Sequence, residues 1–313
     1  MVNTMKKIIL NLLLSILLVS FFWSCESKNN QGNSKSQYEA WNSGELTVYY
    51  DRDLANIIDT VFKMYQKAFP DVKATFIPVS SREGMALLLN GKAKVVLQSR
   101  KYLKDEDSLM KEYNMQLPEP YDFAQDALVF FVKSDSPIDT MNAKNIENYF
   151  LDYKLTSKSS LNLNYEPQFV LPEVNSGIYT NFKELVLKNS RTQRLLKTFM
   201  TIDSVKDYVA NNSNAIGVGY LGNIVGDLRF KPIPLGYYDS TGHYVNPKPV
   251  HQAYIVQGLY PYIITDRAYI FSPEKNLALW FATFISKESY VQRYFKDFGI
   301  VPTFAKFVLI KGD

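Results

Sequence analysis

Three strand-like segments separated by helical segments, all within residues 46–98, constrain the fold of this 313-residue chain most strongly. Leu46–Tyr50, Ala74–Val79 and Lys94–Gln98 are rich in β-branched and aromatic residues, which favour strands. Between the first two segments, apolar residues recur at helical spacing from Leu54 to Phe69, and Pro70 ends that helix. Alternating strands and helices predict a parallel α/β sheet.

The second helix of this region carries clear start and stop signals. Ser80 and Ser81 supply N-capping hydroxyls, and Glu83 lies in the first turn, near the positive end of the helix dipole. Gly91 follows at the C-terminal end, where glycine is favoured. We therefore expect the second helix to begin next to the carboxyl end of the second strand.

Polar residues follow each of the three strands, where parallel sheets bind their ligands. Helix N-termini there offer unpaired N–H groups, serine hydroxyls add donors, and guanidinium groups suit oxyanions. The alternative for any single serine is an ordinary cap that satisfies only its own helix. The ligand-binding candidates at these strand ends are Asp51, Arg52, Asp53, Ser80, Ser81, Arg82, Ser99 and Arg100, with Ser176 as a further hydroxyl donor later in the chain.

The remainder of the chain also alternates strand-like and helical segments. An apolar strand is predicted at 126–132, a loop at 153–165, a strand leading into Asn175-Ser176-Gly177 and a helix at 169–186, and a short strand at 214–220. Two strands are predicted between 262 and 271, and a last helix from about 276 extends toward Phe295. At this length two lobes are expected, because single cores stop growing near roughly 250–300 residues.

The residues exclude several classes of function. His243 and His251 stand in no metal-binding spacing, and no nucleophile elbow, phosphate loop or dinucleotide fingerprint occurs. The sequence therefore predicts a protein that is not an enzyme and uses neither a metal nor a cofactor. Basic and acidic residues number 35 and 31, which is too balanced for a nucleic-acid-binding surface.

The N-terminus has the anatomy of a secretory signal. Lys6 and Lys7 precede the apolar run Ile8–Phe22, and Cys25, the only cysteine, follows closely. This arrangement is similar to the site at which bacterial lipoproteins are cleaved and lipidated on sulfur. We predict a signal peptide over 1–24, lipidation of Cys25, a flexible tether over 25–44, and a periplasmic location on a membrane of a Gram-negative-type envelope. The alternative is an uncleaved N-terminal anchor helix.

Five motifs in order resemble the phosphate-binding proteins of ABC transporters. These are the run from Ser80 to Leu88, Ser99-Arg100, Asp126–Val129, Asn175–Ile178 and Asn214–Gly217. The resemblance covers nearly the whole chain after the tether. Two departures occur in the second lobe: Pro172 and Glu173 stand where the family has an arginine, and Ile178 replaces a threonine.

The resemblance implies a type II periplasmic-binding-protein-like fold with two lobes, a mixed sheet in each lobe and two hinge strands. Lobe 1 is expected over 45–126 plus 265–313 and lobe 2 over 127–264. It adds Leu54, Asn175, Gly177 and Ile178 to the candidate ligand-binding residues. The implied function is capture of an oxyanion, with phosphate as the expected ligand, for an inner-membrane ABC permease.

Two other functions remain open at this point. One is a sensor or scaffold module of the same fold that has lost the phosphate site, as the missing arginine and threonine suggest. The other is a secreted hydrolase with an unrecognised site. For the solute-binding function, we expect a monomer that has no nucleic-acid partner and is attached to the membrane through its lipid.

Overall fold

The structure, a computed structural model, describes residues 41–304. The predicted signal peptide, the lipidation candidate Cys25 and residues 25–40 of the predicted tether lie outside the described residues, and those predictions stay predictions. Across 41–304, none of the helices has the length and apolar character needed to cross a membrane.

The strands of the described region are short except for one. They are β1 Gly44–Asp51, β2 Val72–Val79, β3 Val95–Gln98, β4 Tyr121–Lys133, β5 Met141–Asn142, β6 Gln168–Pro172, β7 Lys197–Phe199, β8 Ala215–Tyr220, β9 Phe230–Pro232, β10 Leu235–Tyr238, β11 Tyr244–Val245, β12 Ile263–Ile270 and β13 Val301–Pro302.

The α-helices alternate with these strands. They are α1 Ala55–Ala68, α2 Ser81–Leu89, α3 Lys104–Glu112, α4 Ala143–Leu151, α5 Ser157–Leu161, α6 Gly177–Asn181, α7 Ile202–Asn211, α8 Leu221–Ile224, α9 Gln252–Val256, α10 Leu277–Lys287 and α11 Ser289–Phe298. A 3₁₀ turn, Arg52–Leu54, precedes α1, and a π-helical segment, Phe182–Val186, continues α6.

The strands form a mixed sheet in each of two lobes. In lobe 1, β1 pairs in parallel with β2 and β3, and β12 is antiparallel to β3. In lobe 2, β6 pairs in parallel with β7 and β8, and β9 and β8 are antiparallel to β4. A separate three-stranded sheet has the order β11-β10-β5. The predicted two-lobed fold with mixed sheets is confirmed.

Strand β4 belongs to both lobes. Its first part, Tyr121–Ala127, pairs with β12, and its second part, Leu128–Phe131, pairs with β8. The backbone N–H of Leu128 also donates to the carbonyl of Tyr262, just before β12 begins. The change of partner therefore falls between Ala127 and Leu128.

Helix α1 shows why the sequence pattern predicted it. Ile57, Ile58, Val61, Phe62 and Tyr65 are its buried residues, as expected for an apolar face with helical spacing. Aromatic contacts extend this face: the rings of Phe62 and Phe76 stack with centroids 3.8 Å apart. The helix is therefore held by the lobe 1 core rather than by its own propensity.

Three predictions about secondary structure were wrong in detail. Residues 153–165 are not all loop, because Thr156 caps the short helix α5. The two strands predicted between 262 and 271 are one strand, β12. The predicted last helix is two helices, α10 and α11, separated at Glu288, whose backbone is extended and whose carboxylate accepts from Ser289 N–H.

Candidate functional site between the lobes

The loops that the sequence singled out in the two lobes meet. The backbone N–H of Arg82, in the first turn of α2, donates to the carbonyl of Asn175 at 3.1 Å. The side-chain amide of Asn181, in α6, donates to the carbonyl of Ser99 at 2.9 Å. The strand ends of lobe 1 therefore lie against the turn that opens α6 in lobe 2.

Asp51 provides a further polar contact across this junction. Its side chain is buried: Oδ1 accepts from the N–H of Asp53 at 3.2 Å, and Oδ2 accepts from the N–H of Gly177 at 3.0 Å. A Cβ on Gly177 would lie 2.3 Å from Asp51 Oδ2 and 2.8 Å from the hydroxyl of Tyr220. Glycine is therefore required at 177 by this approach, not by its backbone torsion.

Burial is the main cause of the raised pKa values of Asp51 and its neighbour Asp53. Burial raises the pKa of Asp51 to about 6, against the lowering effect of the Asp53 and Gly177 N–H groups. The pKa of Asp53 is raised well above its usual value by burial and by the charge of Asp51. The Ile178 N–H and the Ser176 hydroxyl favour its charged form, yet neither oxygen of Asp53 makes a hydrogen bond of standard geometry.

The candidate serines are engaged in different ways. Ser80 and Ser176 cap their helices, accepting from the N–H groups of Glu83 at 3.3 Å and Tyr179 at 3.0 Å. Ser81 donates to Gln98 Oε1 at 2.7 Å. A capping hydroxyl keeps its own proton, so Ser80 retains a donor, whereas the proton of Ser176 faces Asp53.

The three candidate arginines all face carboxylates of the protein itself. Arg100 is fully buried and forms a double hydrogen bond with Glu106, at 2.7 and 2.8 Å. Arg82 bonds Asp105 and Glu106, and Arg52 lies 3.8 Å from Glu173. We call the connected set Ser81, Arg82, Gln98, Arg100 and Glu106 the arginine network.

Two further buried aspartates border the junction and were not among the candidates. Asp126 accepts from Ala127 N–H at 2.6 Å and from Gly222 N–H at 3.1 Å, and burial raises its pKa to about 7. Asp266 accepts from the Ser99 hydroxyl at 2.6 Å. Burial and the charge of Asp126 hold the pKa of Asp266 well above its usual value. We call Asp51, Asp53, Asp126 and Asp266 the aspartate junction.

Side chains that the sequence reasoning missed complete the contact between lobes. The Asn181 amide also donates to the Tyr220 hydroxyl at 3.0 Å, and the Asn223 amide donates to the carbonyl of Asp53 at 2.7 Å. Tyr220 ends the Ala-Ile-Gly strand that the resemblance identified, which was a usable signal. By contrast, Leu54 and Ile178 are fully buried in the core, so they face the junction only through their backbone.

A large cavity on lobe 1 lies apart from the candidate residues. A cavity of about 940 Å³ on lobe 1 is lined partly by Tyr102, Met110 and Tyr269 and contains none of the candidate ligand-binding residues. In the range 41–304 no group of three or more His, Cys, Asp and Glu side chains is arranged to hold a metal ion. His243 bonds Thr241 on an exposed turn, and His251 caps α9.

The two lobes and the site between them define a binding-protein architecture. Residues 36–288 match the family model described as a PBP superfamily domain, and the chain belongs to this superfamily. None of the curated proteins matches the chain.

Solved structures of several bacterial proteins share the fold. A Clostridium perfringens protein assigned as a phosphate ABC transporter substrate-binding protein, with bound phosphate, has a TM-score of 0.69 at 15% identity over 83% of this chain and 100% of its own. An ABC-type phosphate transport receptor from Vibrio cholerae has a TM-score of 0.62 at 18% identity, with 83% and 100% covered. The regulatory domain of CcmR from Synechocystis, in complex with 2-PG, has a TM-score of 0.54 at 10% identity, with 78% and 96% covered.

Proposed function

We propose that this protein is an extracytoplasmic solute-binding protein that holds a small ligand between its lobes and presents it to an ABC importer. The observation that carries this proposal is the contact between the Ser80–Arg82 turn and the Asn175–Gly177 turn. Each turn opens a helix, each carries a capping serine, and each belongs to a different lobe. A ligand bound to both turns would hold the lobes together, as in hinge-bending binding proteins.

The ligand class that we propose is an oxyanion, with phosphate as the first to test. The hydroxyls of Ser80 and Ser176 are donors of the kind that hold oxyanions, and the Gly177 N–H would join them once the Asp51 carboxylate moves away. This donor set also matches the part of the fold that the resemblance assigned to the ligand. No catalytic role is proposed for these residues.

Calorimetric titration tests the proposal directly. Phosphate, sulfate, small carboxylates and sugars are titrated into the wild type and into Ser80→Ala and Ser176→Ala. We expect phosphate to bind, and each variant to bind on the order of ten- to a hundredfold more weakly, as loss of one hydrogen bond to a charged ligand predicts. Ser204→Ala, a serine on α7 away from both turns, is the control. Equal affinities in all four proteins would place the ligand elsewhere.

A second function, a sensor or scaffold of the same fold for another ligand, is favoured by one set of contacts. Asp51 already occupies the Gly177 N–H, and Arg82 and Arg100 are paired with acidic side chains. The same titrations separate the two functions. Binding of a sugar or carboxylate without any response to phosphate would select the sensor.

The proposal includes a lipid anchor on Cys25 in the cell envelope. The positive residues, the apolar run and the position of the only cysteine support it. Cys25→Ala should abolish incorporation of labelled palmitate and release the protein from the membrane fraction, whereas Ser24→Ala should not. Labelling that persists in Cys25→Ala would exclude the anchor.

A further inference from the structure

The carboxylate of Asp51 has the surroundings of a bound anion. It is 1% exposed, and it accepts from one backbone N–H in each lobe, that of Asp53 and that of Gly177. Backbone N–H groups in turns are common ligands for oxyanions. Because Asp51 ends β1 of lobe 1 and Gly177 opens α6 of lobe 2, the chain supplies its own anion where the lobes meet.

No second oxygen fits at the same position. Asp51 Oδ2 already accepts from the Gly177 N–H at 3.0 Å, so a ligand oxygen can take this position only after the carboxylate has moved away. Asp53, which is also 1% exposed, lies beside it, and neither of its carboxylate oxygens makes a hydrogen bond of standard geometry. An oxyanion at this point would therefore meet two carboxyl groups of the protein.

We infer that Asp51 is an internal competitor for the Gly177 amide and thereby determines which ligands the junction accepts. An oxyanion binds well only when residue 51 carries no charge, whereas a ligand that donates hydrogen bonds gains acceptors in Asp51 and Asp53. This inference rests on the proposed solute-binding function and names the residue that sets its ligand class.

Charged and titratable groups face Asp51 from every side of the junction. Positive charge comes from Arg52 and Arg100, and Arg100 is already paired with Glu106. The remaining groups are acidic or neutral: Asp53 on the same turn, Asp266 on β12 and the Tyr220 hydroxyl at the end of β8. The local balance is therefore unfavourable for a further anion.

Phosphate titrations of residue 51 variants test this inference. The full chain in detergent micelles is compared at pH 7.5 as wild type, Asp51→Ser and Asp51→Asn. Serine keeps a capping oxygen for the 3₁₀ turn, and asparagine keeps the shape of the side chain. We expect both variants to bind phosphate at least tenfold more tightly than the wild type. Asp59→Asn removes the same charge from an exposed position on α1 and should behave as the wild type does.

Selective glycine labelling gives a second readout that needs no ligand. The chain contains 14 glycines, so a spectrum of ¹⁵N-glycine amides is sparse. The Gly177 amide resonance should shift as Asp51 ionises between pH 4 and 8 in the wild type, and this shift should be lost in Asp51→Asn. If the chemical shift of the Gly177 amide does not change with pH in the wild type, the inference is overturned.

The outcomes separate this inference from the proposed function. If the wild type binds phosphate as tightly as both Asp51 variants, the solute-binding function stands and the competitor role is rejected. If the wild type binds another solute and the variants gain no affinity for phosphate, the competitor role is again rejected. If no tested solute binds to any of the proteins, the solute-binding function fails, and the specificity role fails with it.

Discussion

The arginine network and the aspartate junction are neighbouring sets of polar groups. They differ in how completely their donors and acceptors are paired in hydrogen bonds. In the network, all five N–H donors of Arg100 have acceptors, namely the Ser81 hydroxyl and carbonyl, the Lys101 carbonyl and both oxygens of Glu106. In the junction, neither oxygen of Asp53 nor Oδ2 of Asp266 accepts a hydrogen bond of standard geometry.

This difference separates a structural role from a responsive one. A buried network in which every group is satisfied fixes one arrangement of its side chains. Unpaired buried oxygens carry a penalty that a proton or a hydrogen-bond donor removes. We therefore expect changes in the network to alter the stability of lobe 1, and changes in the junction to alter the response to pH and ligand.

The largest effect is expected from breaking the arginine network. Arg100→Met leaves Glu106 buried without its main partner, which should lower the free energy of unfolding by about 3–5 kcal/mol. Urea denaturation measures the change. Lys101→Met, which replaces a positive side chain by methionine at the exposed neighbouring residue, is the matched control. A loss no larger than that of the control would contradict the structural role of the network.

The next effect is a pH dependence that comes from the aspartate junction. The folded-state pKa values of Asp51 and Asp126, about 6 and about 7, exceed the ordinary value of 3.8. The folded state therefore holds these protons when the unfolded chain has lost them, so their contribution to stability is largest below pH 4 and falls as pH rises toward 7. Each contribution is on the order of 3 kcal/mol.

Comparison with a variant isolates this contribution from the other carboxylates. As pH rises from 4 to 7, the unfolding free energy of the wild type should fall relative to that of Asp126→Asn. Asp59→Asn, which removes a carboxylate from the exposed side of α1, is the control. A wild-type advantage over Asp126→Asn that grows with pH would show that Asp126 is ionised in the folded protein.

A smaller effect is expected at the contact between the lobes. Gly177→Ala forces its methyl group against Asp51 Oδ2, which should cost about 1–3 kcal/mol of stability, the usual penalty of overpacking. In Asp51→Ala the same glycine change should cost less, since the carboxylate is gone. A double-mutant cycle measured by thermal unfolding gives the coupling. Additive effects would mean that the two residues do not touch.

The smallest effect is expected from the ion pair at the edge of the junction. Arg52 and Glu173 are each about a quarter exposed, with their nearest atoms 3.8 Å apart. Glu173→Gln should change stability by less than about 1 kcal/mol, and the change should shrink further in high salt. A larger change that persists in high salt would show that this pair stabilises the protein as a buried ion pair does.

The part of the fold that the sequence predicted is the part that rests on local patterns. The apolar face of α1, the Ser80 cap of α2 and the Ser176 cap of α6 are each encoded within a few residues, and the structure contains all three. Helix α3 was missed, because its only buried residue is Glu106 and it therefore has no apolar face to detect.

The chemistry of the junction depended on contacts between distant parts of the chain. Arg82 and Arg100 were expected to offer free charge, but α3 brings Glu106 to both of them. Asp266 lies in the middle of β12, and only the antiparallel pairing of β12 with β3 brings it to Ser99. No local spacing indicates such partners. The assignment of the candidate residues to a ligand stays a prediction.

The pairing of β3 with β12 has a consequence for the order in which the chain can fold. β3 ends at Gln98, yet the strand that covers its free edge is not synthesised until Ile263–Ile270. Until then lobe 1 has an open edge of the kind that invites mispairing. Closing so long a loop is slow, as in other proteins dominated by distant contacts. A ribosome-bound or truncated chain that ends before β12 should therefore remain a substrate for chaperones, however well its first three strands and two helices are made.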